Sequence, residues 1–111
     1  MSGLLVLLRV RAPQETPDAV AQAYHRVSRE LAGTEGLLGN RLLHELTDEG
    51  AYLVLSEWAS GEAFHRWEAG TAHRAATAPL RPYQDAGRGR PFGVYEVVAS
   101  YGRGRGREEE S

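Results

Sequence analysis

EWASGEAFHRWEAGTAHRAAT, residues 57–77, carries the reading that decides the fold. The stretch leaves an apolar strand at Glu57-Trp58 and enters a helix. Ser60 suits the N-cap, where its hydroxyl accepts from the free N–H groups of the first turn. Glu62 then lies in that turn, where the helix dipole favours a negative charge. Ala63, Phe64 and Trp67 recur at helical spacing and give one apolar face. Gly70 breaks or kinks the helix, and Thr71–Ala78 restarts it. A large aromatic at the end of a short, glycine-interrupted helix is either core or the wall of a pocket.

Upstream, Ala51–Trp58 reads as a strand behind the turn signal Asp48-Glu49-Gly50. A strand over Leu37–Leu46 precedes that turn, entered through Gly36 and Gly39. Further back, Thr16 caps a helix with Pro17 at its first position. Val20, Tyr24, Val27 and Leu31 form its stripe, and Gly33 stops it. Leu4–Val10 is a near-continuous apolar strand. Downstream, Pro79–Gly93 reads as a loop and Val94–Tyr101 as the last strand. Residues 1–101 make one domain; residues 102–111, GRGRGREEES, form a polar tail expected to be disordered.

The order strand, helix, strand, strand, helix, strand predicts an α+β, ferredoxin-like βαββαβ fold. Two helices cover one sheet face, yet the strands are apolar on both. Leu4, Val6, Leu8 and Val10 oppose Leu5 and Leu7; Leu53 and Leu55 oppose Tyr52, Val54 and Trp58. An uncovered apolar face of this size is rare on a monomer. The pattern predicts a homodimer packed sheet to sheet.

Composition excludes several classes. A net charge of -2 gives no reason to expect nucleic acid or an anionic membrane as partner. With no cysteine, disulfides, thiolate metal sites and cysteine nucleophiles are out. No run is long enough for a membrane span, so the expectation is a cytoplasmic chain without a membrane partner. No HExxH or comparable spacing marks a metal site, and Gly87–Gly93 is not a dinucleotide fingerprint.

Gly36-Leu-Leu-Gly, the strand ending Glu57-Trp58, Ser60-Gly-Glu-Ala-Phe and Trp67 together resemble the antibiotic biosynthesis monooxygenase domain. The resemblance spans Leu4–Tyr101 and implies a dimeric α/β barrel. In pattern it is nearest the bacterial haem-degrading monooxygenases of that superfamily, which also holds cofactor-free, quinone-forming oxygenases. It makes haem a possible cofactor or substrate and a small aromatic molecule the other candidate ligand. The haem degraders use a Trp on the central helix, matched by Trp67. They use an iron-ligating His about three turns further on, which falls near Ala76 or Thr77 here. Their third residue, an Asn on the first strand, falls at Leu8. His73, one turn before the expected ligand, is the nearest substitute.

Two functional readings follow. In the first, the chain is a monooxygenase in which Trp67 stacks a ring and His73 handles a proton. Arg81, Tyr83 and Arg88, on the long loop, would bind the substrate, since arginine pairs a carboxylate through two parallel bonds. In the second, it is a non-catalytic dimer of the same fold that binds a small ligand. Trp58 is expected in the core. His25, His44 and His65 form no triad spacing.

Overall fold

Among the described residues, four strands and three helices account for most of the structure. The structure, a computed structural model, describes residues 3–70, 72–87 and 89–102. The elements are β1 (Leu4–Arg11), α1 (Ala19–Leu31), β2 (Leu37–His44), β3 (Ala51–Trp58), α2 (Gly61–Ala69), α3 (Ala72–Thr77), a 3-10 segment (Ala78–Tyr83) and β4 (Phe92–Glu96). The sheet order is β2-β3-β1-β4, all antiparallel, with β1 and β3 central. This is the ferredoxin-like α+β arrangement.

Paired residues share a face, so register assigns sides. Val6 lies opposite Ser56 and Val94, and Leu8 opposite Val54 and Phe92. Val6, Val10 and Trp58 on that face are buried under the helices. On α1, Val20, Ala23, Val27 and Leu31 are buried at helical spacing. Val10 and Val20 pack with them into one cluster; Val6, Trp58, Ala63 and Phe64 form a second, and Trp67 touches both. The opposite face carries Leu5, Leu7, Leu53, Leu55, Leu43 and Tyr95, with no helix over it.

Ser60 caps α2 as expected, its hydroxyl accepting from the Ala63 N–H at 3.1 Å. Gly70 ends that helix and the chain restarts at α3. Gly33 adopts φ +84, the left-handed conformation that stops α1 at low cost.

Four boundaries differ from the sequence reading. Helix α1 starts at Ala19, not behind a Thr16 cap; the Thr16 carbonyl, rather than its hydroxyl, accepts from the Ala19 N–H at 3.0 Å. Pro17 sits in the turn before the helix. Part of the expected Pro79–Gly93 loop is the 3-10 segment. Its tight turns tolerate Pro79 and Pro82, and Leu80, 2% exposed, anchors it in the core.

The last strand is Phe92–Glu96 rather than Val94–Tyr101. It pairs only with Leu4–Leu8, and the Val97 N–H makes the final bond to the Gly3 carbonyl. Beyond that point no described residue pairs with the chain, and Val98 and Tyr101 are 91% and 98% exposed. Finally, β2 ends at His44 and has a bulge between Leu37 and Gly39. Leu37 faces Trp58 and Gly39 faces Glu57, leaving Leu38 unpaired and largely exposed. One extra residue flips every later side chain on the strand. Asn40 therefore lies opposite Ser56, on the helix-covered face.

Candidate functional site

Between that face and the helices lies a cavity of about 290 Å³. Its sheet floor runs through Val6, Ser56 and Asn40 in one cross-strand row, and through Phe92, Leu8 and Val54 in the next. Its roof is built by Tyr24, Val27, Ser28 and Leu31 of α1, Phe64, Trp67 and Glu68 of α2, and His73 and Thr77 of α3. Leu80, Arg81 and Gln84 complete the rim.

One end is an aromatic cluster. Trp58 lies 5.4 Å from Phe64 and 5.2 Å from Trp67 between ring centroids, and Phe64 stacks on Phe92 at 6.4 Å. Trp58 is 1% exposed, as expected of a core residue, and its indole N–H donates to Ser56 Oγ at 3.0 Å. Trp67 is half-buried, so one part of its ring packs on Trp58 while another lines the cavity. Such offset aromatic contacts hold the rings in a fixed array.

His73 meets Trp67 edge-on, with centroids 5.1 Å apart. Its Nδ1 is 3.3 Å from the Gly70 carbonyl oxygen. A carbonyl only accepts, so this contact is a hydrogen bond when Nδ1 carries a proton, which turns Nε2 away from Gly70. The break at Gly70 thus does two things: it ends α2 and orients the imidazole of α3.

Trp67, His73 and Arg81 all line the cavity. Arg81 is exposed and its guanidinium donates to Thr77 Oγ1 at 3.3 Å, which leaves it at the mouth. Tyr83 does not line this cavity. It borders a shallower depression with Arg11, His44, Tyr52 and Asp85, because the 3-10 segment turns it away from Arg81. Arg88 lies outside the described residues, as does the tail from residue 103 onward. Among the described residues, no group of three or more His, Cys, Asp or Glu could hold a metal ion.

The segment that carries Arg81 and Gln84 is tied down at its far end. Arg11 pairs with Asp48 at 2.7 Å and with Asp85 at 3.3 Å, joining the end of β1, the β2–β3 turn and this segment. The two carboxylates hold the Arg11 guanidinium more firmly protonated than usual, first through its hydrogen bonds to Asp48.

At the polar end, Asn40 and Ser28 were missed in the sequence. The hydroxyls of Tyr24 and Ser28, one turn apart on α1, both donate to Asn40 Oδ1, Ser28 at 3.2 Å. The Tyr24 hydroxyl is also 3.2 Å from the Asn40 carbonyl oxygen. The only hint of an inward Asn40 was the pair Gly36 and Gly39 around the bulge.

A single antiparallel sheet, helices on one face and a partly open, aromatic-walled cavity between them define a small ferredoxin-like α+β domain. The chain matches the sequence profile of the family Antibiotic biosynthesis monooxygenase over residues 3–79, and it belongs to that family. Among solved structures it is similar to SnoaB of Streptomyces nogalater, a cofactor-independent oxygenase, at 17% identity and a TM-score of 0.68, covering 91% of this chain and 95% of that one. It is also similar to a haem-degrading protein of Mycobacterium tuberculosis, at 21% identity and a TM-score of 0.65, covering 90% and 99%. At these identities the likeness is one of fold. Protein SchA of Streptomyces halstedii is 28% identical over 105 residues; that match takes in 95% of this chain but only 28% of SchA's length. Among the described residues, no helix is long and apolar enough to cross a membrane.

The residues here do not fit a haem site of the usual family kind. Ala76 is buried and presents only a methyl group, and the Thr77 hydroxyl is spent on the His73 carbonyl at 2.8 Å. Leu8 lines the cavity from the first strand. The cavity is also small for a four-ring macrocycle: its volume is about twice the roughly 150 Å³ that accepts one benzene.

Proposed function

We propose that the chain is a small oxygenase that holds a planar, quinol-like aromatic in this cavity and acts as a homodimer packed through the bare sheet face. The observation that carries the reading is the cavity, walled by Trp58, Phe64, Trp67 and Phe92 with the His73 ring at its edge. Its volume suits two or three fused rings. The dimer rests on the uncovered leucines of β1 and β3, which a soluble monomer rarely leaves bare. A cytoplasmic location is part of the same proposal.

In this mechanism the substrate supplies the electrons. A ring methylene activated by a carbonyl of the same ring, conjugated through the flanking aromatic rings, loses a proton to His73 Nε2. The resulting carbanion reduces O₂ and forms a C–O bond, and the peroxide takes the proton back from the imidazolium. Loss of the second C–H proton with departure of hydroxide leaves a carbonyl and one water. The sum is R₂CH₂ + O₂ → R₂C=O + H₂O. Trp67 stacks the ring and aligns it, and Arg81 at the mouth pairs an acidic substituent. Arg88 shares that role in the proposal; Tyr83, turned toward the other depression, drops out of it.

The test uses anthrone, a three-ring compound with such a methylene, and chelator-treated protein under isotopically heavy O₂. The expected result is one heavy oxygen atom in the new carbonyl, at a rate about 100-fold above buffer, lost in His73→Ala. Turnover no faster than buffer rejects the oxygenase. Saturable anthrone binding without turnover would instead support the non-catalytic binder, the reading favoured by Leu8 and Ala76 standing where the haem degraders have chemistry.

A further inference from the structure

The polar end of the cavity has a direction. Asn40 Oδ1 accepts from two hydroxyls, Tyr24 and Ser28, and a carboxamide oxygen has two lone pairs. Its acceptor capacity is used. The amide nitrogen lies on the opposite branch of the same planar group and carries two donors. Among the described residues, none accepts from Asn40 Nδ2. Asn40 is half-buried and lines the cavity, so this donor pair is available to a ligand that fills it.

The arrangement is built rather than incidental. Tyr24 and Ser28 stand at i and i+4 on α1, the spacing that puts two side chains on one face. The bulge at Leu37/Gly39 is what turns Asn40 inward to meet them. Beside it on the floor, Ser56 Oγ already accepts from the Trp58 indole. The surrounding wall is otherwise apolar on this side: Val6, Leu8, Val27, Leu31 and Val54.

We propose that the Asn40 carboxamide, locked by Tyr24 and Ser28, is the subsite that receives one carbonyl or phenolate oxygen of the ring ligand and so sets its orientation. The proposal rests on the reading that this cavity takes a planar aromatic. It names what chooses among aromatics: an oxygen acceptor on the ring edge that meets Asn40. An apolar ring enters the cavity but gains nothing from Asn40. A ring with a carbonyl gains a hydrogen bond from a donor that is already fixed in place, with no side-chain freedom left to lose. The same donor would draw negative charge toward the ring oxygen as a proton leaves the adjacent carbon.

The experiment compares two probes of equal size, 1-tetralone and tetralin, which differ by one carbonyl oxygen. Their dissociation constants are measured by NMR titration of the wild-type protein and of Asn40→Asp. The Asp variant keeps an oxygen for the Tyr24 and Ser28 hydroxyls but replaces the amide donor with an acceptor. Its fold is checked by the same spectra. The wild type should prefer 1-tetralone by about five- to tenfold, and the Asn40 side-chain NH₂ signals should shift with the ketone and not with tetralin. In Asn40→Asp the preference should vanish or reverse while tetralin binds as before. Asn40→Leu, which removes the donor without adding charge, should also lose the preference. Equal binding of the two probes by the wild type, or a preference that survives in Asn40→Asp, overturns the subsite and leaves the aromatic cavity standing. Failure of both probes to bind the wild type removes the cavity reading itself, and the subsite with it.

Discussion

Both faces of the sheet are rich in apolar residues, and only one lies under helices. On one, Val6, Val10 and Trp58 are buried beneath the helices, and the floor of a cavity opens between Asn40 and Phe92. On the other, Leu5, Leu7, Leu53 and Leu55 remain half-exposed, and Leu43 and Tyr95 at its margins are exposed. The strands distinguish the faces by charge as well as by cover: Arg9, Arg41 and Glu57 lie among the leucines of the bare face. The helix-covered face interrupts its apolar floor with Asn40 and Ser56, whose Oδ1 and Oγ accept from two hydroxyls and an indole N–H. Among the described residues, the bare face has no comparable network at its centre. A polar pair inside an apolar cavity is a device for a ligand, and an apolar surface without one suits a second protein surface.

The sharpest way to break the comparison is Leu55→Asp. Leu55 sits mid-strand between Leu7 and Arg41 on the bare face. If that face is the dimer interface, the buried charge should raise the dissociation constant more than about 100-fold, read by sedimentation, while the monomer stays folded. A variant that sediments like the wild type would leave the bare face without its proposed partner.

Gly36→Ala tests the covered side. Gly36 has φ +86, and an added Cβ would lie 2.4 Å from the Ala63 Cβ, where α2 meets the start of β2. Left-handed strain and overpacking together should cost about 3 kcal/mol in denaturant unfolding. Ala63 and Phe64 would be displaced with the helix, so the cavity should lose ligand affinity as well.

Trp67→Phe sharpens the contrast between core and cavity wall. The change keeps a ring against Trp58 and should cost about 1–3 kcal/mol of stability. Its effect on ligand affinity or turnover should be the larger one. Unfolding of the variant while its folded fraction keeps full activity would make Trp67 simply core. The smallest effect is expected from deleting Gly102–Ser111, a polar segment with no apolar residue to dock, which should leave the melting temperature nearly unchanged in calorimetry.

Much of this contrast was legible in the sequence, and the rest failed for identifiable reasons. The bounds of β3, the Ser60 cap and the Gly70 break follow from local chemistry, and the structure reproduces each. So does the double-sided apolarity of β1 and β3. The 3-10 segment escaped because two prolines argued for a loop while the burial of Leu80 depends on α1, far away in sequence. The end of β4 escaped because Val97–Tyr101 alternates like a strand but has no stretch of β1 to pair with. Asn40 escaped because strand parity, counted without the Leu37/Gly39 bulge, puts it on the bare face. Trp67 and His73 were singled out by helical spacing and family resemblance and Arg81 by its place on the loop, and all three line one cavity. Tyr83 was grouped with them by loop position alone, and the turn of the 3-10 segment separates it.

The most direct test of the division of labour between the faces is a methyl NMR titration of the intact protein with 1-tetralone. The account predicts shifts at Val6, Leu8, Val27, Leu31, Val54 and Leu80, which surround the cavity, with Leu5, Leu7, Leu43, Leu53 and Leu55 unmoved. Shifts concentrated on the second set, or none on the first, would contradict it.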